Sequence, residues 1–522
     1  MLASVMKTKA YQISCTILFG LVLVGLPITS LPLVAQIFGS MVAPFSAIPL
    51  AILILIWLIP YLLKGGRLPN EILPILYFAL FAIIISAGAF FLDGFYARDR
   101  DFFDQSFRAI LTILIGLSFY ITVSAYIQKK AIIRQALIFL YLGGMVLILW
   151  SNFEVFLLLR FGNVGNFPQW VLSFKTIIAR QIPGLEFLSR VTGFAYEPSW
   201  FGLIFTLIFF PLWLSSVFQR KSLFKWQLWR FQLEDFLLVL SIIPYAYSFP
   251  RVGLLAFILM LLYLALLGFI KLYQKIMAWM MEHRSERLQQ SVFLRVLIAI
   301  ILILLVLSII IGAAVTFVQV ASQQDYRFQL IIDQINTENL RNFTFSEEQI
   351  ITLARRLAFY ERTIFWFGGW HIFADYPMGV GLGNAGFYMV NRLNSQGYAS
   401  FEIRNLIYQS QNLMNTKSLW FRLLSETGII GFGIYLTWVY LLWRSARFIQ
   451  KSHDPIMKIV GLAGNLFVLA FIIEGFSVDS FAIPYQWITA SLISAGRLVV
   501  YKEKITDEPD KIQQTASNIA DV

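Results

Sequence analysis

Apolar residues in this chain of 522 come in long blocks, not in the three- and four-residue spacing of a half-exposed helix. A helix needs about 20 mostly apolar residues to cross the hydrocarbon core of a bilayer. Blocks of that kind run approximately over 11–30, 43–63, 71–92, 107–127, 133–157, 199–219, 235–249, 252–271, 294–318, 424–443, 456–475 and 481–500. The pattern predicts an all-α, polytopic integral membrane protein with about 12 transmembrane helices. The seventh and eighth blocks are divided only at Ser248-Phe249-Pro250-Arg251, where a proline and a charge interrupt the apolar run. Lys7 and Lys9 precede the first block as they would a signal peptide. No clear small-residue cleavage site follows, so the block reads as a membrane helix. The expected organisation is a bundle of about nine helices over 1–319, one large extracytoplasmic loop with amphipathic helices over 320–423, further membrane helices over 424–500, and a cytoplasmic polar tail over 501–522.

Composition sharpens this picture. The chain is 58% hydrophobic and 13% charged, whereas soluble domains carry about 25% charged residues. Its mean hydropathy is +0.72. A soluble enzyme, a disordered chain and a disulfide-stapled domain are all excluded. A single cysteine, Cys15, cannot form an internal disulfide, and three histidines leave little for a metal centre. No metal and no cofactor are expected.

A net charge of +12 would suit nucleic acid, but the charges fall between apolar blocks, so the bilayer is the expected partner and nucleic acid is not. With a cytoplasmic N-terminus and twelve alternating spans, 14 of the 16 lysines fall on inner segments, leaving Lys175 and Lys417 outside. That bias puts both termini in the cytoplasm. The arginines reverse it, 10 inside and 15 outside. A guanidinium grips phosphate through two parallel hydrogen bonds, so an arginine-rich outer face suits an anionic ligand. The plainer reading is that these side chains snorkel to lipid headgroups or pair with acids, as Arg98 and Arg100 would with Asp99 and Asp101.

Three outer segments carry candidate chemistry. The stretch 158–198, with Trp170, Phe174 and Lys175, reads as interfacial and amphipathic; the break Ser248–Arg251 is the second. In the third, 320–423, Ser346-Glu347-Glu348-Gln349 is a capping box opening a helix. Ile350, Leu353, Leu357, Tyr360, Ile364 and Phe367 continue it, with Arg355 and Arg362 on the opposite face, either solvated or roofing a membrane-level cavity. Gly381-Leu382-Gly383-Asn384-Ala385-Gly386 matches G-x-G-x-x-G, but no strand precedes it. It reads instead as a tight turn after Asp375-Tyr376-Pro377, whose amides can approach a phosphate. His371 is the only outer histidine, to be weighed as a packed residue or a base. The carboxylates of interest are Glu197, Asp375, Glu426 and Glu474. Glu197 leads, as a carboxylate beside a membrane cavity at the mouth of a span.

Four elements carry a family resemblance. Arg190-Val191-Thr192-Gly193-Phe194-Ala195-Tyr196-Glu197-Pro198-Ser199-Trp200-Phe201-Gly202 resembles the R-x-x-G-x-x-x-E-P stretch of the O-antigen ligase and polymerase superfamily. Ser248-Phe249-Pro250-Arg251 resembles its S-x-S-R element, with proline for the second serine. Asp375 to Asn384 resembles its P-x-x-G-x-G-x-G-N turn, and Leu423 to Gly431 its l-l-x-E-x-G-i-i-G helix. The order of the elements matches as well.

The resemblance implies a GT-C type membrane glycosyltransferase of the bacterial inner membrane, working at the extracytoplasmic face on undecaprenyl-pyrophosphate-linked glycans, beside other polysaccharide export and assembly proteins. Arg190 and Arg251 would hold the pyrophosphate and Glu197 would serve the acceptor hydroxyl. Tyr196, Arg355, Arg362, Asn384, Lys417 and Glu426 are the remaining candidates for contact with substrate. Ligases of the superfamily carry a His-Asn pair about nine residues before the helix glutamate. This chain has Lys417-Ser418 there, which favours polymerisation of lipid-linked repeat units over ligation. A lipid-linked glycan flippase is the alternative of another class. Such transporters usually show internal repeats, and no self-similar halves are visible here.

Overall fold

A computed structural model describes residues 8–38, 41–92, 100–184, 189–283, 346–357 and 359–507, with single helical positions between 304 and 319. The apolar block 294–318 (apart from those positions), the start of the expected large loop (320–345) and the end of the polar tail (508–522) lie outside the described residues. The protein is 76% helical, and its one described sheet is the short pair Gln227–Leu228 with Phe231–Gln232.

Helices occupy each of the other eleven apolar blocks, from Lys9–Val24 to Pro484–Asp507. Without water to hydrogen-bond the backbone, a spanning segment has to satisfy its amides and carbonyls internally, and a helix does this. Among the described residues, seven helices are long and apolar enough to cross a membrane: Ile72–Phe91, Phe102–Tyr126, Lys130–Phe161, Pro198–Gln219, Arg251–Ile276, Leu419–Gln450 and Pro455–Glu474. Lys9–Val24 and Ala47–Leu63 are apolar but shorter. Large side chains such as Leu80, Leu149 and Leu159 are exposed on the bundle exterior, as lipid-facing positions are.

Pro198–Gln219 and Pro455–Glu474 pack against one another at the centre and are the most buried of these helices. Pro198–Gln219 is not a uniform α-helix. Phe205–Phe209 forms a π turn, after which Phe209 and Trp213 stack at 5.1 Å. The bundle has two chemically distinct ends. At one, Lys130 pairs with Asp454, and Arg497 Nη1 lies 2.7 Å from Glu71 Oε1. At the other lie Glu197, the 248–251 break and the end of Pro455–Glu474.

Residues 346–408 form a helical layer over that second end, with its own small core around Ile351, Ile364, Phe365, Ile372, Met389 and Ile403. Ser346 Oγ accepts from the Gln349 amide and opens the Glu347–Arg356 helix, as the capping box predicts. The single helix expected from 346 to 367 is instead two, Glu347–Arg356 and Tyr360–Asp375. Phe359 N turns back to the Ala354 carbonyl at 2.7 Å. The turn between the helices takes Arg355 and Arg362 off a common face. Tyr360–Asp375 then packs on Leu419–Gln450.

Candidate functional site

The element Arg190 to Glu197 is anchored from beneath by a buried ion pair. Lys175 Nζ lies 2.7 Å from Glu154 Oε1, and both side chains are 2% exposed. Glu154 Oε2 accepts the Thr192 amide at 3.2 Å and the Gly193 amide at 2.9 Å. Its other oxygen takes the Trp150 indole N–H at 2.8 Å, and Lys175 Nζ donates to Thr192 Oγ1 at 2.9 Å. A charge in an apolar bundle is tolerated only when its hydrogen-bonding capacity is filled, and here both members are well partnered. The Gln169–Ile178 helix therefore turns Lys175 inward beside Val171, while Gln169, Ser173 and Thr176 are exposed. Trp170, Phe174 and Ile177 face outward while Lys175, expected at the interface, is buried. Gly193 has φ +57, and a Cβ there would meet Leu147 and Phe201, so only glycine passes this point of the motif.

The turn after Asp375 docks onto a break in the Leu419–Gln450 helix. Gly428 has φ 63 and ψ −169, a conformation open essentially to glycine alone. The kink would leave carbonyls of the preceding turn unpartnered. Val380 N donates to the Ser425 carbonyl at 3.0 Å and Gly381 N to that of Glu426 at 2.9 Å, while Ile429 N donates to the Pro377 carbonyl at 3.0 Å. Leu382 N goes to Ser86 Oγ at 2.8 Å. The amides of Val380, Gly381 and Leu382 are thus engaged within the protein. Buried Asn384 closes it from Nδ2 to the Val380 carbonyl and Ser106 Oγ.

Against the Arg190–Glu197 segment lies a cavity of about 240 Å³, lined by Arg190, Glu197, Ser199, Arg251, Arg362 and Glu474 among others. Glu197 stands at the N-cap of Pro198–Gln219, with Pro198 at the first helical position and Ser199 Oγ donating to Glu197 Oε1. Arg190 donates from Nε to the Ser248 carbonyl at 3.1 Å, and from Nη2 to those of Ser248 at 2.6 Å and Phe249 at 2.8 Å. It therefore covers the C-terminal carbonyls of Leu233–Ser248, where Phe249 adopts a left-handed conformation at φ 48. Arg251 opens the next helix, with its guanidinium 4.5 Å from the centre of the Phe359 ring. Arg362 Nη1 donates to the Ser477 carbonyl at 2.9 Å. Glu474 is 5% exposed and accepts from Thr206 Oγ1 at 2.7 Å.

Five sequence candidates, Arg190, Glu197, Arg251, Arg362 and Glu474, therefore converge on one cavity. The others do not line it. Tyr196 is stitched by its amide to Thr29 Oγ1 and by its ring to Trp200, and burial pushes its phenol up against the lowering effect of Arg180. Arg355 donates to the Tyr360 hydroxyl at 3.1 Å. His371 sits in the helical layer, Nδ1 3.0 Å from the Arg392 carbonyl and Nε2 3.2 Å from Glu347 Oε2. Lys417 pairs with Glu402 and lies over the Phe365 ring, lending only its carbonyl to Arg362 at 3.4 Å. Glu426 is paired with Arg422, Oε2 to Nε 2.9 Å.

Sequence reasoning passed over Glu154 and Thr206. An acid inside an apolar block was a signal for the first; a threonine in such a block gave none for the second. Among the described residues, no group of three or more His, Cys, Asp or Glu side chains could hold a metal ion.

A search of curated proteins gives no match. Residues 236–436, which carry Arg251, Arg362, the glycine turn and the kinked helix, match the family described as O-antigen ligase. Members of that family are glycosyltransferase-like ligases and polymerases. The match supports placing this membrane protein in the O-antigen ligase/polymerase-like superfamily.

Proposed function

We propose that the protein polymerises undecaprenyl-pyrophosphate-linked oligosaccharide repeat units at the extracytoplasmic side of the plasma membrane. One observation carries this reading: three arginines and two carboxylates, drawn from four distant parts of the chain, line a single cavity at one end of an apolar bundle. In the reaction, an acceptor hydroxyl oxygen forms a bond to the anomeric carbon of the donor glycan. The bond from that carbon to the pyrophosphate oxygen breaks, and the lipid pyrophosphate leaves with the electron pair. Fixed guanidinium groups lower the barrier by meeting charge as it develops on the leaving group.

Arg251 and Arg362 are assigned to the pyrophosphate. Arg190 is assigned to positioning, because its Nε and Nη2 hold the Ser248 and Phe249 carbonyls of the turn that leads into Arg251. Glu197 receives the proton of the acceptor hydroxyl, because its carboxylate lines the same cavity as the arginines. The polymerase reading is favoured over ligation because the position of the ligase histidine is held by Lys417, whose ammonium is engaged with Glu402 outside the cavity.

The test is the set of lipid-linked glycans that accumulates when the gene is deleted. Single repeat units are expected. Long undischarged chains would mean a ligase, and units left facing the cytoplasm would mean a flippase.

A further inference from the structure

A second polar cavity, of about 270 Å³, opens on the other side of the loop that follows Pro455–Glu474. Its charged lining is balanced: Arg108 and Arg422 against Glu426 and Asp479, with Gln105 and Asn415 among the neutral polar groups. Arg422 and Glu426 are built into the wall. Their side chains are 14% and 6% exposed and joined at 2.9 Å, and Arg422 Nη1 also donates to the Asp479 carbonyl at 2.5 Å.

The balance of charge selects the ligand. A phosphate entering this cavity would meet Glu426 and Asp479, and a cation would meet Arg108 and Arg422. A neutral polyol meets neither penalty, because carboxylates accept from its hydroxyls and guanidinium groups donate to its oxygens. The volume is close to the lower limit for small-molecule sites, about 300 Å³, and so suits a single sugar ring.

The position selects the role. Ser477 lines the arginine cavity and Asp479 lines this one, and two residues of chain span at most about 7 Å. A sugar held beside Asp479 thus lies two residues along the chain from a residue that lines the arginine cavity. Resting on the glycan-transfer reading above, we propose that this cavity is the subsite for an uncharged sugar of the acceptor, which it holds with a hydroxyl directed toward the arginine cavity.

The probe is the oligosaccharide released by mild acid from the lipid-linked units that accumulate in the deletion strain, a glycan without pyrophosphate. Saturation-transfer NMR with the purified full-length protein in detergent should show transfer to its ring protons. Asp479→Asn removes a charged acceptor and Thr112→Phe fills the cavity from the Phe102–Tyr126 helix. Each should weaken binding about tenfold or more while melting as the wild type does. Arg251→Lys, altered in the other cavity, should bind the glycan normally. The proposal is overturned if the wild type gives no transfer. It is equally overturned if Asp479→Asn and Thr112→Phe, both folded, bind undiminished, or if only Arg251→Lys loses binding. The reading of the reaction fails on a different result, a normal cellular glycan ladder from Arg251→Lys.

Discussion

At the scale of single residues, the arginine cavity separates groups that a charge count treats alike. Arg190, Arg251 and Arg362 all line the cavity, but Arg190 commits Nε and Nη2 to main-chain carbonyls, Arg362 commits Nη1 alone to those of Ser477 and Lys417, and Arg251 lies over the Phe359 ring. Lysine keeps the charge but loses the planar fork. Arg251→Lys should therefore insert normally yet lose polymer, with short lipid-linked units accumulating. Loss of one donor to the transition state costs roughly a hundred- to a thousand-fold in rate. A glycan ladder of wild-type length from this variant would sink the assignment.

The carboxylate and the histidine are separated in the same way. Glu197 lies in the cavity, and His371 is held between the Arg392 carbonyl and Glu347 in the helical layer. Glu197→Gln should lose most chain extension and His371→Ala should keep most of it, measured at matched expression. Severe loss at His371 alone would reverse the roles.

At the scale of elements, the Arg190–Glu197 segment owes its course to Glu154 and Lys175. Removing one member of a buried pair costs about 3–5 kcal/mol, because the other is left charged and unpartnered. Glu154→Gln and Lys175→Met should each lower the melting temperature in detergent and shorten the glycan ladder. The double variant should recover part of the stability lost by Lys175→Met. Its polymer should stay short, because a glutamine at 154 cannot replace a carboxylate that takes two successive amides of the motif. Double-variant stability below that of both singles would contradict the pairing.

The same element shows what a sequence can and cannot disclose. Membrane helices were legible because an apolar block is a local signal, and so was the Ser346 cap, whose donor is three residues away. Lys175 and Glu154 are 21 positions apart, and Thr206 and Glu474 are 268 apart. No local spacing announces such a pair. The break at 357–359 was hidden for the opposite reason: Leu357, Tyr360 and Ile364 keep helical spacing straight across it. In the site, the motifs marked Arg190, Glu197 and Arg251. Only the fold shows that Arg362 joins them while Arg355, seven residues earlier, does not.

At the scale of the whole molecule, the two ends of the bundle divide the charges. Lys130 with Asp454 and Arg497 with Glu71 lie at one end, and both polar cavities lie at the other, joined by the loop through Ser477 and Asp479. Reporter fusions at Lys64, Lys130, Lys225, Lys275 and Lys451 should therefore report cytoplasm, and fusions within 346–410 should report the outside. A cytoplasmic report from 346–410 would remove both proposed sites from the face where the lipid-linked glycan is expected.

The π turn in Pro198–Gln219 bears on how this helix can vary. One turn of α-helix rotates each residue by about 100°, and a π turn absorbs one surplus residue without a gap. The helix must offer Thr206 to Glu474 and Glu197 to the cavity, yet set Trp213 against Tyr141 of Lys130–Phe161 lower down. Those demands are set in two different angular phases, and Phe205–Phe209 is the phase shifter between them. Deleting one residue there would leave a regular, fully hydrogen-bonded helix with its composition almost unchanged. It would also swing the mouth of the cavity about a quarter-turn relative to the lower half of the same helix, so the length of this segment is fixed more tightly than its sequence.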